Sequence, residues 1–176
     1  QGVIAERPAD LVALSSSHTG RVIFEDVEVD RKWLLGGPAE NVMATGVGAK
    51  TGGLQTSTLA VGLASGAIEF LEAESAKRDD LVLAMEALKQ EYAELRDQLI
   101  QAAAGEIECS NEQVRTSANS LVLRATQASL AAAKGAGFVT GHPAGRWCRE
   151  ALFFMVWSCP QPVMNAHLCQ LAGIAE

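Results

Sequence analysis

DLVLAMEALKQEYAELRDQLI, residues Asp80 to Ile100, decides how the rest of the chain is read. Leu81, Met85, Leu88, Tyr92, Leu95 and Leu99 recur at alternating steps of four and three. That spacing draws one apolar stripe along an α-helix that packs against neighbours. Glu86, Lys89, Gln90, Glu94 and Asp97 fill the other face, which faces water. Asp79 and Asp80 suit the positive end of the helix, and Gly105 suits its stop.

The same logic extends in both directions. Ser110-Asn111-Glu112-Gln113 forms a capping box, in which the Ser hydroxyl accepts from the third helical N–H. The helix it opens carries Val114, Ala118, Leu121, Ala125, Ala128 and Ala132 on one side, and an Ala-rich seam allows close neighbours. Upstream, a helix is expected from Gly46 to Lys77, with Leu59, Leu63, Ala67, Phe70 and Leu71 as its apolar face. Gly62 and Gly66 within it mark close helix packing in a soluble bundle. Downstream, Gly135 to Gly145 is a glycine-rich loop, and Pro143 opens a fourth helix at its first turn. Trp147, Leu152, Phe153, Met155, Val156 and Trp157 belong to that helix, with Pro160 and Pro162 ending it. A short last helix runs from Val163 to Leu171. At the other end, Val22-Ile23-Phe24 and Val27-Glu28-Val29 read as the end of a sheet, and Gly36-Gly37-Pro38 breaks the chain.

The expected fold is mainly α, an up-down four-helix bundle with a short fifth helix, preceded by a few β-strands. Residues 1–40 are expected to hold the end of a sheet and residues 41–176 the helical bundle. A net charge of −7 without a basic cluster argues against nucleic acid as a partner. Thr51 to Ile68 carries no charge, but Gln55, Thr56, Ser57, Thr58 and Ser65 make it too polar for a membrane span. Cys109, Cys148, Cys159 and Cys169 include no Cys-x-x-Cys pair, and the His residues are scattered, so no metal site is expected. Free thiols fit a reducing, cytoplasmic location. The chain starts at Gln1, with no basic-then-apolar leader, and reads as a piece of a longer protein.

Three segments, taken in order, carry a family resemblance. GRVIFEDVEVDRKWLLGG, residues 20–37, resembles the β-domain exit of acyl-CoA dehydrogenases, an F-x-D-V-x-V-P run followed by Leu-Leu-Gly, with Asp30 in place of the Pro. AAKGAGFVTGHP, residues 132–143, is similar to the family's Gly-Gly-x-Gly-Tyr loop. RWCREALFFMVWSCP, residues 146–160, resembles the R-D-A helix that leads into the family's catalytic turn. The resemblance implies the end of the middle β-domain plus the C-terminal bundle of a flavoprotein. It further implies FAD as cofactor, an acyl-CoA substrate, assembly into homo-dimers or tetramers, and an electron-transfer flavoprotein as a partner.

Residue by residue, the resemblance puts Arg78 where the family contacts the neighbouring subunit's FAD diphosphate. It puts Gly135, Ala136 and Gly137 in the cofactor-facing loop, with Lys134 replacing the first Gly. The residue-level alternative is structural: Arg78 as a helix C-terminal cation and the glycines as helix terminators. At the catalytic turn, a Glu-Gly-Thr in many members supplies the base that removes the α-proton of the acyl-CoA. Here Ser158, Cys159 and Pro160 stand in those places, so Ser158 occupies the base slot and Pro160 a cofactor-side position. Serine needs an activating neighbour to act as a base. The family's other base position, on the first bundle helix, falls near Thr56-Ser57, again without a carboxylate. Three readings follow. One is an acyl-CoA dehydrogenase-like FAD oxidoreductase, inactive as this piece alone. The second is a flavin-dependent monooxygenase of the same fold, and the third a non-catalytic helical oligomerisation module. Cys159 is expected to be a buried, inert thiol.

Overall fold

The computed structural model describes residues 2–40 and 54–174. The chain divides into two compact units, Gln1–Lys50 and Thr51–Glu176. In the first, strand β1 (Val3–Ala5) pairs antiparallel with β2 (Val22–Phe24), Ile4 opposite Ile23. Val27–Val29, expected as a further strand, is not one. Asp26, just before it, takes a left-handed turn at φ 47°, which bends the chain away from the ladder. The expected boundary after residue 40 abuts residues 41–53, which lie outside the described residues.

The second unit is the bundle: α1 (Leu54–Ser75), α2 (Val82–Ala104), α3 (Asn111–Ala133), α4 (Pro143–Ala151), α5 (Phe153–Val156) and α6 (Gln161–Ala172). The expected helix start at Gly46 lies outside the described residues. Glu72 late in α1 pairs with Lys89 early in α2. Thr58 and Val61 early in α1 line a cleft with Leu99 and Ile100 late in α2, so α2 runs antiparallel to α1. Glu91 of α2 pairs with Arg124 of α3. The local signals behave as their chemistry dictates. Ser110 Oγ accepts from the Gln113 N–H at 3.4 Å, Gly105 closes α2 at φ 75°, and Pro143 begins α4. Leu88, Lys89, Leu95 and Leu99 sort as their stripe requires, with the Leu residues buried and the Lys exposed.

α3 is the centre. It buries Val114, Ala118, Leu121, Val122, Ala125 and Ala132, and packs closely along α1. On α1 the inward stripe is Ala60, Val61, Ala64, Ala67, Ile68 and Leu71. Leu59, expected inside, is 63% exposed, because small residues set the face that approaches α3. Gly62 and Gly66 do not mark the close contact either. A Cβ at Gly62 would meet nothing within 4 Å, and one at Gly66 would meet only Trp147 at 3.9 Å. Close approach belongs to the alanines, where Ser129 Oγ donates to the Ala67 carbonyl at 2.6 Å.

The fourth helix is broken. α4 stops at Ala151, α5 is a single turn, and Trp157 is extended. Pro160 and Pro162 do not end it: Pro160 is the N-cap of α6 and Pro162 lies in the first turn of α6. A first-turn proline loses no helical hydrogen bond, so the pair starts a helix here. No helix among the described residues is long and apolar enough to cross a membrane.

Candidate functional site

α5 ends with carbonyls that have no partner in their own helix. Arg115 and Asn119 on α3 supply one. Arg115 Nη2 donates to Phe154 O at 3.3 Å and to Trp157 O at 3.1 Å, and Asn119 Nδ2 donates to Phe154 O at 2.9 Å. Arg115 Nε donates to Asn119 Oδ1 at 2.9 Å, which locks the pair together. Arg115 is 2% exposed and Asn119 fully buried. No carboxylate partners Arg115 among the described residues. Burial lowers its pKa from the usual guanidinium value, and nearby Cys159 opposes that shift. A cation at a helix C-terminus also meets the negative end of the dipole.

This clamp holds the turn that carries Ser158. Just before it, Phe153 and Trp157, one turn apart at the two ends of α5, stack with ring centroids 5.3 Å apart. Ser158 is exposed and left-handed at φ 43°, a conformation that costs a non-glycine residue about 1 kcal/mol or more. Its hydroxyl meets no histidine or carboxylate that could activate it among the described residues. Cys159 is half-buried rather than fully enclosed. Pro160 is half-buried where the turn enters α6.

Ser57, near which the second base position is expected, comes to the same end of the bundle. Ser129 of α3 pairs with Ala67 of α1, and ten residues earlier on each helix lie Asn119 and Ser57. Ser57 is fully buried and its Oγ has no hydrogen-bond partner. The neighbouring α6 contributes His167, 4% exposed, with Nε2 equally unpartnered. Burial lowers the His167 pKa, the Gln170 side chain opposes this, and the Arg115 charge lowers it further.

Arg78 and the glycine loop meet at the opposite end. Arg78 Nη1 donates to the Ala132 carbonyl at 2.7 Å and Nη2 pairs with Asp80 at 3.4 Å. The cation therefore sits at the end of α3, against the root of the single turn Lys134–Phe138. Lys134, expected in the slot of a family Gly, adopts φ 53° and ψ −146°, a region suited to Gly. Gly135 and Ala136 are exposed. Gly137 is buried, and a Cβ there would meet Leu130 Cδ1 at 2.7 Å. A Cβ on Gly145 would strike the Gly137 carbonyl, so the two glycines let the start of α4 lie against the loop.

Sequence reasoning missed Arg115, Asn119 and His167. The signal for the first two was a cation and an amide four apart, each next in sequence to a residue of the apolar stripe (Val114, Ala118), a pair that must be satisfied if buried. Nothing in the sequence showed that α6 would fold back onto Arg115.

No protein-family profile matches the chain, and no curated protein is significantly similar to it in sequence. Solved structures do match it. A complex of glutaryl-coenzyme A dehydrogenase with glutaryl-CoA aligns over 97% of the chain, at 18% identity and a TM-score of 0.74. Butyryl-CoA dehydrogenase from Megasphaera elsdenii aligns over 95%, at 18% identity and a TM-score of 0.70. A structure described as the electron transferring flavoprotein of Acidaminococcus fermentans aligns over 97%, at 21% identity and a TM-score of 0.73. KijD3, solved with FMN and a dTDP-amino sugar, aligns over 99% at a TM-score of 0.61. The chain covers 48% of the glutaryl-CoA dehydrogenase chain and 49% of each of the other three. Over about half the length of these structures, the chain has the strand-then-helical-bundle fold of the acyl-CoA dehydrogenases.

Proposed function

We propose that this chain is the C-terminal part of an acyl-CoA dehydrogenase-like FAD oxidoreductase acting on a CH–CH bond of an acyl-CoA thioester, with Ser158 in the place of the usual catalytic Glu. The observation that carries this reading is the Ser158 turn itself. A buried Arg115–Asn119 pair holds its backbone within a dehydrogenase fold, at the end of the bundle where Ser57 also lies.

The loop at the other end suits the diphosphate of a flavin. Arg78 and Lys134 bring two cations to an exposed Gly135–Ala136 backbone, with buried Gly137 setting the loop's path. In this reading Arg78, Gly135, Ala136 and Gly137 face the cofactor of a neighbouring subunit in a homo-oligomer, and Pro160 lies on the cofactor side of the turn. When bound, FAD supplies the hydride acceptor. Ser158 has no carboxylate with which to take the α-proton, so an acyl-CoA would be bound and oriented here without the usual base. An electron-transfer flavoprotein as acceptor and a cytoplasmic location complete the reading, the latter supported by four free cysteines.

The base-free turn favours a second reading. In a flavin-dependent monooxygenase reduced flavin activates oxygen and no α-proton is removed, and KijD3, solved with FMN, shares the fold. A third, non-catalytic module is favoured because Arg78 is already bonded to Ala132 and Gly137 is required by internal packing.

Purification of the full-length protein separates them. Bound FAD, with anaerobic bleaching of its spectrum by acyl-CoAs, is the expected result, and Ser158→Glu should speed the bleaching. A flavoprotein that no acyl-CoA bleaches, but that hydroxylates in the presence of a reductase and NADH, supports the second reading. A colourless protein that takes up no flavin supports the third. The 176-residue chain alone is expected to oxidise no acyl-CoA.

A further inference from the structure

Val163 and His167, one turn apart, are the residues α6 buries, and α6 packs principally on α3. Neither belongs to the main apolar core, which α1 to α3 share with Ala151 and Phe154. The helix is therefore attached by a small contact, half of which is an imidazole. That imidazole is 4% exposed, its Nε2 has no partner, and it lies within range of a buried guanidinium that no carboxylate neutralises among the described residues.

The other charges around it are few. On α3, the Arg115 charge acts on it, and Glu112 lines the cleft between α3 and α6 nearer the start of α3. The turn contributes Cys159, and α5 has no charged residue. Within Gln161–Ala172 the one other titratable group is Cys169.

We propose that His167 makes α6 an acid-released clamp on the Ser158 turn: protonation of its buried imidazole beside Arg115 undocks α6 from α3 and loosens the Trp157–Pro160 backbone. A second cation in this site has no counter-charge, and beyond the Gln170 side chain it has no acceptor, its Nε2 being unpartnered; an unneutralised buried charge is costly. The cheapest relief is to move the imidazole into water. For α6 this exposes two side chains, whereas any other helix would have to open the shared core. Once α6 leaves, Arg115 gains water, and the turn keeps only its hydrogen bonds to α3. The sign is set by the lowered pKa. The docked state holds its neutral imidazole above about pH 6.5 and loses stability as the pH falls through the docked-state pKa. The inference needs neither flavin nor substrate and stands apart from the proposed activity.

Hydrogen exchange of the full-length protein at pH 7.5 and 5.5, corrected for intrinsic exchange rates, tests it. Peptides from α6 and from Trp157–Pro160 should lose protection at the lower pH, by up to about tenfold per pH unit below the free-imidazole value, while α1–α3 stay unchanged. His167→Gln should show equal α6 protection at both values. Acid-independent α6 protection in the natural protein, an undiminished acid response in His167→Gln, or equal loss across all helices would overturn the proposal. Should that variant fail to fold, NMR titration of His167 in the natural protein decides. Titration below the free-imidazole pKa, together with the α6 exchange change, supports the clamp, and titration at or above it overturns the clamp.

Discussion

Arg115 and Asn119 donate to the same acceptor, the Phe154 carbonyl, at 3.3 and 2.9 Å, from positions one turn apart on α3. Two buried donors on one carbonyl, joined by a third bond between themselves, fix where the broken fourth helix ends. The direction of the chain into the Ser158 turn is thus decided on another helix, by a residue 39 positions before Phe154.

Arg115→Met should destabilise the bundle by about 2–3 kcal/mol, because Asn119 Oδ1 loses its donor while buried and the part-buried bond to Trp157 O is lost as well. Arg115→Lys should recover little of this, since a single ammonium cannot copy the guanidinium fork. Denaturant midpoints measure both, and a Lys variant as stable as the natural protein would show that charge alone suffices.

Lys134→Gly should stabilise by about 1–3 kcal/mol, because Lys134 occupies a backbone region that costs a side chain and suits Gly. Ser158→Gly should gain about 1 kcal/mol for the same reason at φ 43°. Thermal melts under reversible conditions read both. No gain at position 134 would mean that its side chain contributes more than its strain costs.

Gly145→Ala should cost about 1–3 kcal/mol, because the added Cβ would strike the Gly137 carbonyl, which is backbone and cannot rotate away. Gly62→Ala, beside open space on α1, should gain up to about 1 kcal/mol from helix propensity alone. Opposite signs for two helical glycines test whether close packing sits at α4 or along the Gly62–Gly66 pair.

Cys148 should be the slowest of the four cysteines to alkylate near neutral pH. Burial raises its thiol pKa, and the Thr126 side chain and the Arg149 charge only partly oppose that; the thiol itself donates to Thr126 O at 3.1 Å. A raised pKa leaves less thiolate at a given pH, so the rate should climb only at more alkaline values. Peptide-resolved mass spectrometry of iodoacetamide labelling gives the order, and rapid labelling of Cys148 at neutral pH would contradict the burial argument.

The sequence by itself determined the elements whose causes are local. The stripe Leu81–Leu99, the Ser110 cap, the Gly105 stop and the Pro143 start each depend on residues within one or two turns, and each appears where its chemistry requires. The order of three short motifs also sufficed to point to the dehydrogenase fold. What only the tertiary structure decided involves partners far apart in sequence. Leu59 faces outward because alanines, not leucines, set the approach of α1 to α3. Pro160 and Pro162 start a helix rather than end one because the chain had already been stopped, its last carbonyls held by Arg115. Periodicity records which face a residue lies on. Whether a buried polar group finds a partner depends on atoms brought together from separate helices, and so the clamp behind Ser158 could be seen only in the folded chain.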